Sequence, residues 1–240
     1  TGEVVELNAP TVFNAVFHLR QFWNGRARDL QEQALDPPVD PREMGSGNWT
    51  EICNRLAQSA SLQQEFMELY ADGITAQNVG NALAEFEKTL ITPNCRFDRY
   101  LKGDKNAISV IEKDGYALFK ASRCATCHVG KALGGQSVEY LNLKADFYAD
   151  RQVVPRPADM GVYTFTGREE DKFKFKVPSL RNTAETGPWY HDGKIKTLNE
   201  AVSLMGVYQC GITLEENAVE LIVAFLHTLT GEYMGRAVRK

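Results

Sequence analysis

The sequence predicts a mainly α protein made of two helical units, residues 1–94 and 95–240. Three observations carry this expectation. Apolar residues recur at helical spacing in successive segments, several of them opened by a capping residue and closed by a breaker. The run Thr92-Pro93-Asn94 interrupts that pattern, and a chain of 240 residues has room for one large or two small domains. Beyond the break, helical patterns flank a single compact motif, Cys124-Ala125-Thr126-Cys127-His128.

Residues 1–48 hold little helical periodicity apart from Val12 to Leu19. They are dense in turn signals such as Asn24-Gly25, Asp36-Pro37-Pro38 and Gly45-Ser46-Gly47. Ordered loops of this length are more often functional than decorative. Trp49 to Ala57 reads as a helix with Ile52 and Leu56 inward, and Leu62 to Tyr70 as a second with Phe66 and Leu69 inward. A third starts at Thr75, whose hydroxyl can cap it, and turns Val79, Leu83, Phe86 and Leu90 to one side. In the second unit, Ala107 to Lys120 is helical, with Ile108, Ile111, Leu118 and Phe119 as its apolar face. Gly115 lies inside it. A mid-helix glycine costs about 1 kcal/mol against alanine, so its presence points to close contact with another helix. The partner is the last helix, Leu214 to Leu229, with Thr213-Leu214-Glu215-Glu216 as a capping box and Gly231 beyond its end. There is no internal repeat and no low-complexity segment.

Composition is that of an ordinary globular protein. A net charge of −4 gives no reason to expect a nucleic-acid partner. No apolar run is long enough to span a bilayer. The chain opens at Thr1, which suggests a processed chain or a piece of something longer.

The Cys124 to His128 run is a C-x-x-C-H motif, the attachment signature of c-type haem. Two cysteines three residues apart fit one turn of helix, so both sulfurs can add to the vinyl groups of one porphyrin. The next residue sets an imidazole under the iron. A zinc knuckle would need a second ligand pair at close spacing, which neither Cys95 nor Cys210 provides. Haem is attached to this motif outside the cytoplasm, so a periplasmic location follows. Cys53, Cys95 and Cys210 are then either one bridged pair and a free thiol or three free thiols. A helix running into the motif and a last helix crossing it at a glycine is the layout of a class I cytochrome c domain. The loop-rich stretch 130–190 suits chain wrapped over a flat cofactor. His128 is the fifth iron ligand. The sixth comes from Met205, Met160 or His191, or stays open; a thioether suits electron transfer and an open position suits peroxide chemistry. His191, in Gly187-Pro-Trp-Tyr-His-Asp-Gly193, reads as an ordered turn residue or a propionate partner. Arg181 is a second propionate candidate, since a guanidinium pairs a carboxylate bidentately. His18 and His227 lie in helical patterns and read as structural.

Several runs occur in order along the whole chain: Asn8-Ala-Pro-Thr-Val-Phe-Asn14, Gln21-Phe-Trp-Asn-Gly-Arg26, Asp40-Pro-Arg-Glu-Met44, Cys124 to His128, Lys176-Val-Pro-Ser-Leu-Arg-Asn182 and Pro188-Trp-Tyr-His-Asp-Gly193. Together they resemble the bacterial di-haem cytochrome c peroxidases, including the quinol peroxidases that carry a third haem. The resemblance implies two cytochrome c-like domains: 1–94 as the remainder of a peroxidatic domain and 95–240 as a complete electron-transfer domain of class I type. That family has two C-x-x-C-H motifs and this sequence has one. The expectation is therefore that the peroxide-reacting haem belongs to a segment preceding Thr1.

By the same resemblance, the haem on Cys124 and Cys127 is the electron-accepting one, with His128 and Met205 as axial ligands. Trp23 would be the indole between two haems. Glu43 would be the acid-base carboxylate that moves a proton between the oxygens of H2O2. Asn8 would supply a side-chain ligand to a calcium ion, with the carbonyls of Thr186 and Pro188, and oxygen ligands suit Ca2+. The implied activity is reduction of hydrogen peroxide to water. The electrons would come from a small redox protein, a cytochrome c or cupredoxin, or from a quinol; a homodimer stays open. A stand-alone electron-transfer module is the alternative. A relative that oxidises a protein side chain would replace the axial methionine, and Met205 argues against it.

Overall fold

The computed structural model describes residues 2–239. Its helices are α1 (Leu30–Ala34), α2 (Trp49–Leu56), α3 (Ala60–Leu69), α4 (Ala76–Thr89), α5 (Arg96–Leu101), α6 (Val110–Ala121), α7 (Phe147–Asp150), α8 (Tyr163–Thr166), α9 (Leu198–Met205) and α10 (Glu216–His227). Two short antiparallel ladders complete it. In one, β1 (Val138–Tyr140) pairs with β2 (Lys174–Lys176); in the other, β3 (Glu232–Tyr233) pairs with β4 (Arg236–Ala237).

Side-chain caps explain most of the helix starts. Asp29, Asn48, Ser59, Thr75 and Thr197 each accept a hydrogen bond from the backbone N–H three residues on, opening α1, α2, α3, α4 and α9. Ser109 and Glu112 form a full capping box on α6. The capping box expected at Thr213 does not form: α10 starts after Glu215 with no side-chain cap bond. The sequence reading also left out α1, α5, α7, α8, α9 and both ladders; all but α9 are six residues or fewer, too short to show a periodicity.

The main core runs from Cys95 to Leu229 and centres on α6 crossing α10. Gly115 makes that crossing: a Cβ at this position would run into the Leu221 carbonyl. Phe225 of α10 then sits against Phe97, Tyr116 and Phe119, with ring centroids 5.0, 5.1 and 5.2 Å away. The second cluster is small, Ala15, Leu30 and Ala84 with Val16 against them. Several residues read as inward are in fact exposed. Leu69 is 76% exposed, Phe86 58% and Ile111 59%. Helical spacing identifies a face; it does not say that anything covers it.

A buried polar clip ties the N-terminal segment to the C-terminal tail. Asn14 Nδ2 donates to Thr92 Oγ1 at 2.8 Å, and the Thr92 N–H returns a bond to Asn14 Oδ1 at 2.9 Å. Asn182 Nδ2 also donates to Thr92 Oγ1, at 3.0 Å, while Asn182 Oδ1 accepts from the Gly231 N–H at 2.9 Å. Gly231 is needed for close approach rather than as a helix cap, since a Cβ there would strike the Thr92 carbonyl. All five cysteines are free thiols, so no pair among Cys53, Cys95 and Cys210 is bridged. No helix among the described residues is long and apolar enough to cross a membrane.

Candidate haem-binding site

The C-x-x-C-H run is wound tightly. α6 ends at Ala121, Arg123 takes a left-handed turn with φ 65°, and Cys124–Thr126 form one 3-10 turn. The His128 N–H then bonds back to the Cys124 carbonyl at 3.1 Å. Both cysteines and the imidazole thus open onto one cavity of about 420 Å3. Its walls are largely apolar and include Phe119, Leu141, Phe175, Val202, Ile222 and Leu226.

His128 Nδ1 lies 3.1 Å from the Leu133 carbonyl. An Nδ1–H donating there sets the tautomer and leaves the Nε2 lone pair for a metal. Burial pulls the ring's pKa below its ordinary value, which favours the neutral form that can ligate. Met205, the last residue of α9, lines the same cavity from another element. Of the two methionines the sequence offers for the sixth position, Met205 lines the cavity and Met160 does not. The donor set, an imidazole and a thioether with two thiols on an apolar slot, fits a c-type haem.

His191 also lines the cavity and is 2% exposed, but its Nε2 is engaged, 2.9 Å from Asp159 Oδ1 and 3.3 Å from the Tyr148 hydroxyl. Burial would raise the Asp159 carboxyl, yet hydrogen bonds from His191 and Arg156 hold it well below the usual carboxylate range. The His191 ring stacks on Phe175 at 4.4 Å and meets Trp23 edge-on at 6.5 Å. Trp23 is a cavity residue, and its indole N–H donates to the Asn8 carbonyl at 2.7 Å.

Asn8 and Pro188 meet: Asn8 Nδ2 donates to the Pro188 carbonyl at 2.7 Å, and Thr186 borders the same cavity. A cation at that point requires the Asn8 amide turned so that Oδ1 faces it. Arg181 is placed elsewhere than the sequence suggested. Its guanidinium forks onto Asp98 at 2.9 and 2.6 Å, and it does not line the cavity. Glu43 sits in an exposed turn, its N–H bonded to the Asp40 carbonyl at 3.0 Å, and is not a cavity residue. Sequence reasoning read His18 as structural and gave Lys176 no role, and both line the cavity. His18 follows a 3-10 turn, Ala15–Phe17, rather than lying in a helix. Cys210 was not assigned a place, and the fold sets its thiol beside that of Cys124.

An attachment motif opening onto an apolar, His/Met-walled slot in a small helical fold defines a c-type haem protein. Residues 1–106 match the family model described as di-haem cytochrome c peroxidase. The chain is 50% identical over 232 residues to the cytochrome c peroxidase Ccp of Escherichia coli (strain K12), covering 97% of this chain and 49% of that protein. It is 42% identical over 228 residues to the cytochrome c551 peroxidase of Nitrosomonas europaea, covering 94% and 66%. A solved structure of a MauG-like protein associated with microbial copper homeostasis aligns with a TM-score of 0.78 and 26% identity, over 95% of this chain and 76% of that one. The chain belongs to the di-haem cytochrome c peroxidase family. It spans about half the length of the first of these relatives and about two thirds of the second.

Proposed function

We propose that this chain is the electron-accepting part of a c-type haem peroxidase that reduces hydrogen peroxide to water in the periplasm. Haem c attached through Cys124 and Cys127 supplies one-electron redox chemistry. The observation that carries the reading is the single cavity lined by both cysteines, His128 and Met205. His128, its tautomer set by the Leu133 carbonyl, offers Nε2 to the iron. Met205 would offer the same iron a soft thioether, a donor that favours the reduced state and would leave no place for peroxide. Trp23, contributed by the N-terminal segment, forms part of the cavity wall and would lie on the exit path for electrons. The donor is a cytochrome c, a cupredoxin or a quinol.

Peroxide chemistry belongs to Glu43 and to a second haem elsewhere in the whole protein. Glu43 is exposed and away from the cavity, so it has no part in chemistry at the Cys124 site. Calcium held by Asn8, Thr186 and Pro188 would fasten the N-terminal segment to the cavity wall.

The same geometry favours a second reading for the chain taken alone, an electron-transfer module without peroxidase activity, because His128 and Met205 would together hold the iron and leave it closed to peroxide. The test is maturation of the chain in a haem c-attaching host. Intact mass gives one haem per chain, Cys124→Ala with Cys127→Ala gives none, and Met205→Ala lowers the midpoint potential. A wild-type chain that takes up no haem overturns the reading. Steady-state peroxide turnover by the isolated haem-loaded chain would overturn the closed-iron assignment.

A further inference from the structure

Lys176 is a buried cation without a counter-charge. It lies on β2 and is 6% exposed. Among the described residues no carboxylate comes within ion-pair distance of it, whereas Lys174, two positions earlier, pairs with Asp171 at 3.0 Å. The contact the structure gives its ammonium is with His18 Nδ1, at 3.3 Å. Burial lowers the ammonium to about 8. An uncompensated ammonium in such a place is expensive unless an anion joins it.

His18 is its complement. Burial first, and the Lys176 charge second, bring the imidazole down to about 3, so the ring is neutral. With Nδ1 accepting from Lys176, the ring proton sits on Nε2. That Nε2 is buried and has no hydrogen-bond partner, one of two such side-chain atoms among the described residues. Lys176 and His18 both line the haem cavity. The structure therefore presents two buried donors to one space: the Lys176 ammonium, whose acceptor is the neutral His18 Nδ1 and no anion, and the His18 Nε2–H, which has no acceptor. An ionised carboxylate, which only accepts and has two oxygens, answers both.

The position in the fold agrees. The Lys176 N–H bonds to the Trp23 carbonyl at 2.8 Å, and His18 packs against the backbone of Gly135, where a Cβ would collide with its ring. This wall is the seam between the N-terminal segment and β2. The thioether edge of the porphyrin is fixed on another element, at Cys124 and Cys127. In haem c the propionates project from the edge remote from the thioethers. The guanidinium that the sequence offered for this task is bound to Asp98.

We infer that Lys176 and His18 form the carboxylate-binding end of the cavity and hold a haem propionate there. The inference rests on the haem reading above. Lys176 binds the propionate directly through its ammonium, and His18 both donates Nε2–H and keeps the ammonium aimed.

The test uses the haem-loaded chain and three substitutions, Lys176→Gln, Lys176→Arg and Arg181→Gln, with His18→Gln in reserve. Haem content comes from intact mass, propionate environment from the propionate bending band in resonance Raman spectra, and potential from equilibrium redox titration. In Lys176→Gln the thioethers keep one haem per chain, the propionate band shifts, and the midpoint potential falls because a positive charge beside the haem is gone. Lys176→Arg restores both readings toward wild type. Arg181→Gln leaves the band in place. An unshifted band and unchanged potential in haem-loaded Lys176→Gln overturn the inference, as does a band that moves with Arg181→Gln instead. Where Lys176→Gln takes up no haem, the band in His18→Gln decides: a shift supports the inference and no shift overturns it. A wild-type chain without haem defeats the haem reading itself, and that outcome is separable from the others.

Discussion

At the scale of single residues, the difference between a predicted role and an actual one comes down to which partner is nearer. Arg181 has the right chemistry for a propionate, but Asp98 accepts from its Nη1 and Nη2 and the Lys131 carbonyl from its Nε, with the Arg181 and Asp98 side chains only 12% and 15% exposed. Burial alone would raise the Asp98 carboxyl; the hydrogen bonds and charge of Arg181 reverse this and hold it below the ordinary value. A depressed carboxyl contributes stability that is complete above its unfolded pKa, about 4, and is lost as pH falls through the folded value. Asp98→Asn should therefore destabilise the protein by about 3 kcal/mol near neutral pH, because Arg181 is left buried without its anion. It should also flatten the loss of stability below about pH 4. Urea unfolding across a pH series measures both. Equal acid sensitivity in wild type and variant would show that other carboxylates dominate there. Lys176 and His18 teach the converse. Neither residue type nor spacing marks them in the sequence. Their role follows from being buried together with an ammonium that has no anion and an imidazole Nε2 that has no partner.

At the scale of elements, the α6–α10 crossing is where a sequence expectation and a structural reason coincide. A glycine in the middle of a helix is unfavourable on its own, so the sequence keeps it only where backbone must approach backbone. Gly115→Ala should gain about 1 kcal/mol in helix propensity. It should lose more by pushing α10 away at Leu221, since overpacking costs about 1–3 kcal/mol. The expected net is a destabilisation, read from the midpoint of denaturant unfolding. A stabilised Gly115→Ala would mean that the two helices can separate without penalty. α9 illustrates the opposite case. It spans eight residues and runs straight into a π-turn, Gly206–Cys210. The sequence reading did not mark it as a helix, yet it carries Met205 to the cavity, and the π-turn after it brings Cys210 to the side of Cys124.

At the scale of the whole molecule, the Asn14, Thr92 and Asn182 clip joins segments that are far apart in sequence. Thr92→Val keeps the shape but removes the hydroxyl that accepts from two buried amides. Leaving a buried donor unsatisfied costs about 1–3 kcal/mol, so a loss of about 2 kcal/mol or more is expected on denaturant unfolding. A neutral outcome would show that the two amides find other acceptors. Calcium acts at a similar joint in the proposed function. If Asn8, Thr186 and Pro188 hold the ion, the thermal midpoint of the haem-loaded chain rises with added Ca2+ and the rise disappears in Asn8→Ala. A midpoint indifferent to calcium in the wild type would remove the ion from the account.

What the sequence determined by itself is the local chemistry. The C-x-x-C-H run, the cap at Thr75 and the glycine at the helix crossing are all readable, because each acts through neighbours within one helical turn or through a backbone constraint that one residue type satisfies. The ordered runs from Asn8 to Gly193 were enough to suggest the family. What only the tertiary structure decided is everything that depends on segments distant in the chain. It put Met205 rather than Met160 on the cavity wall, gave Arg181 to Asp98, left Phe86 and Leu69 exposed, and closed the cavity with His18 and Lys176. The physical reason is that ion pairs and burial are set by which distant groups arrive first and closest, and that depends on the fold as a whole.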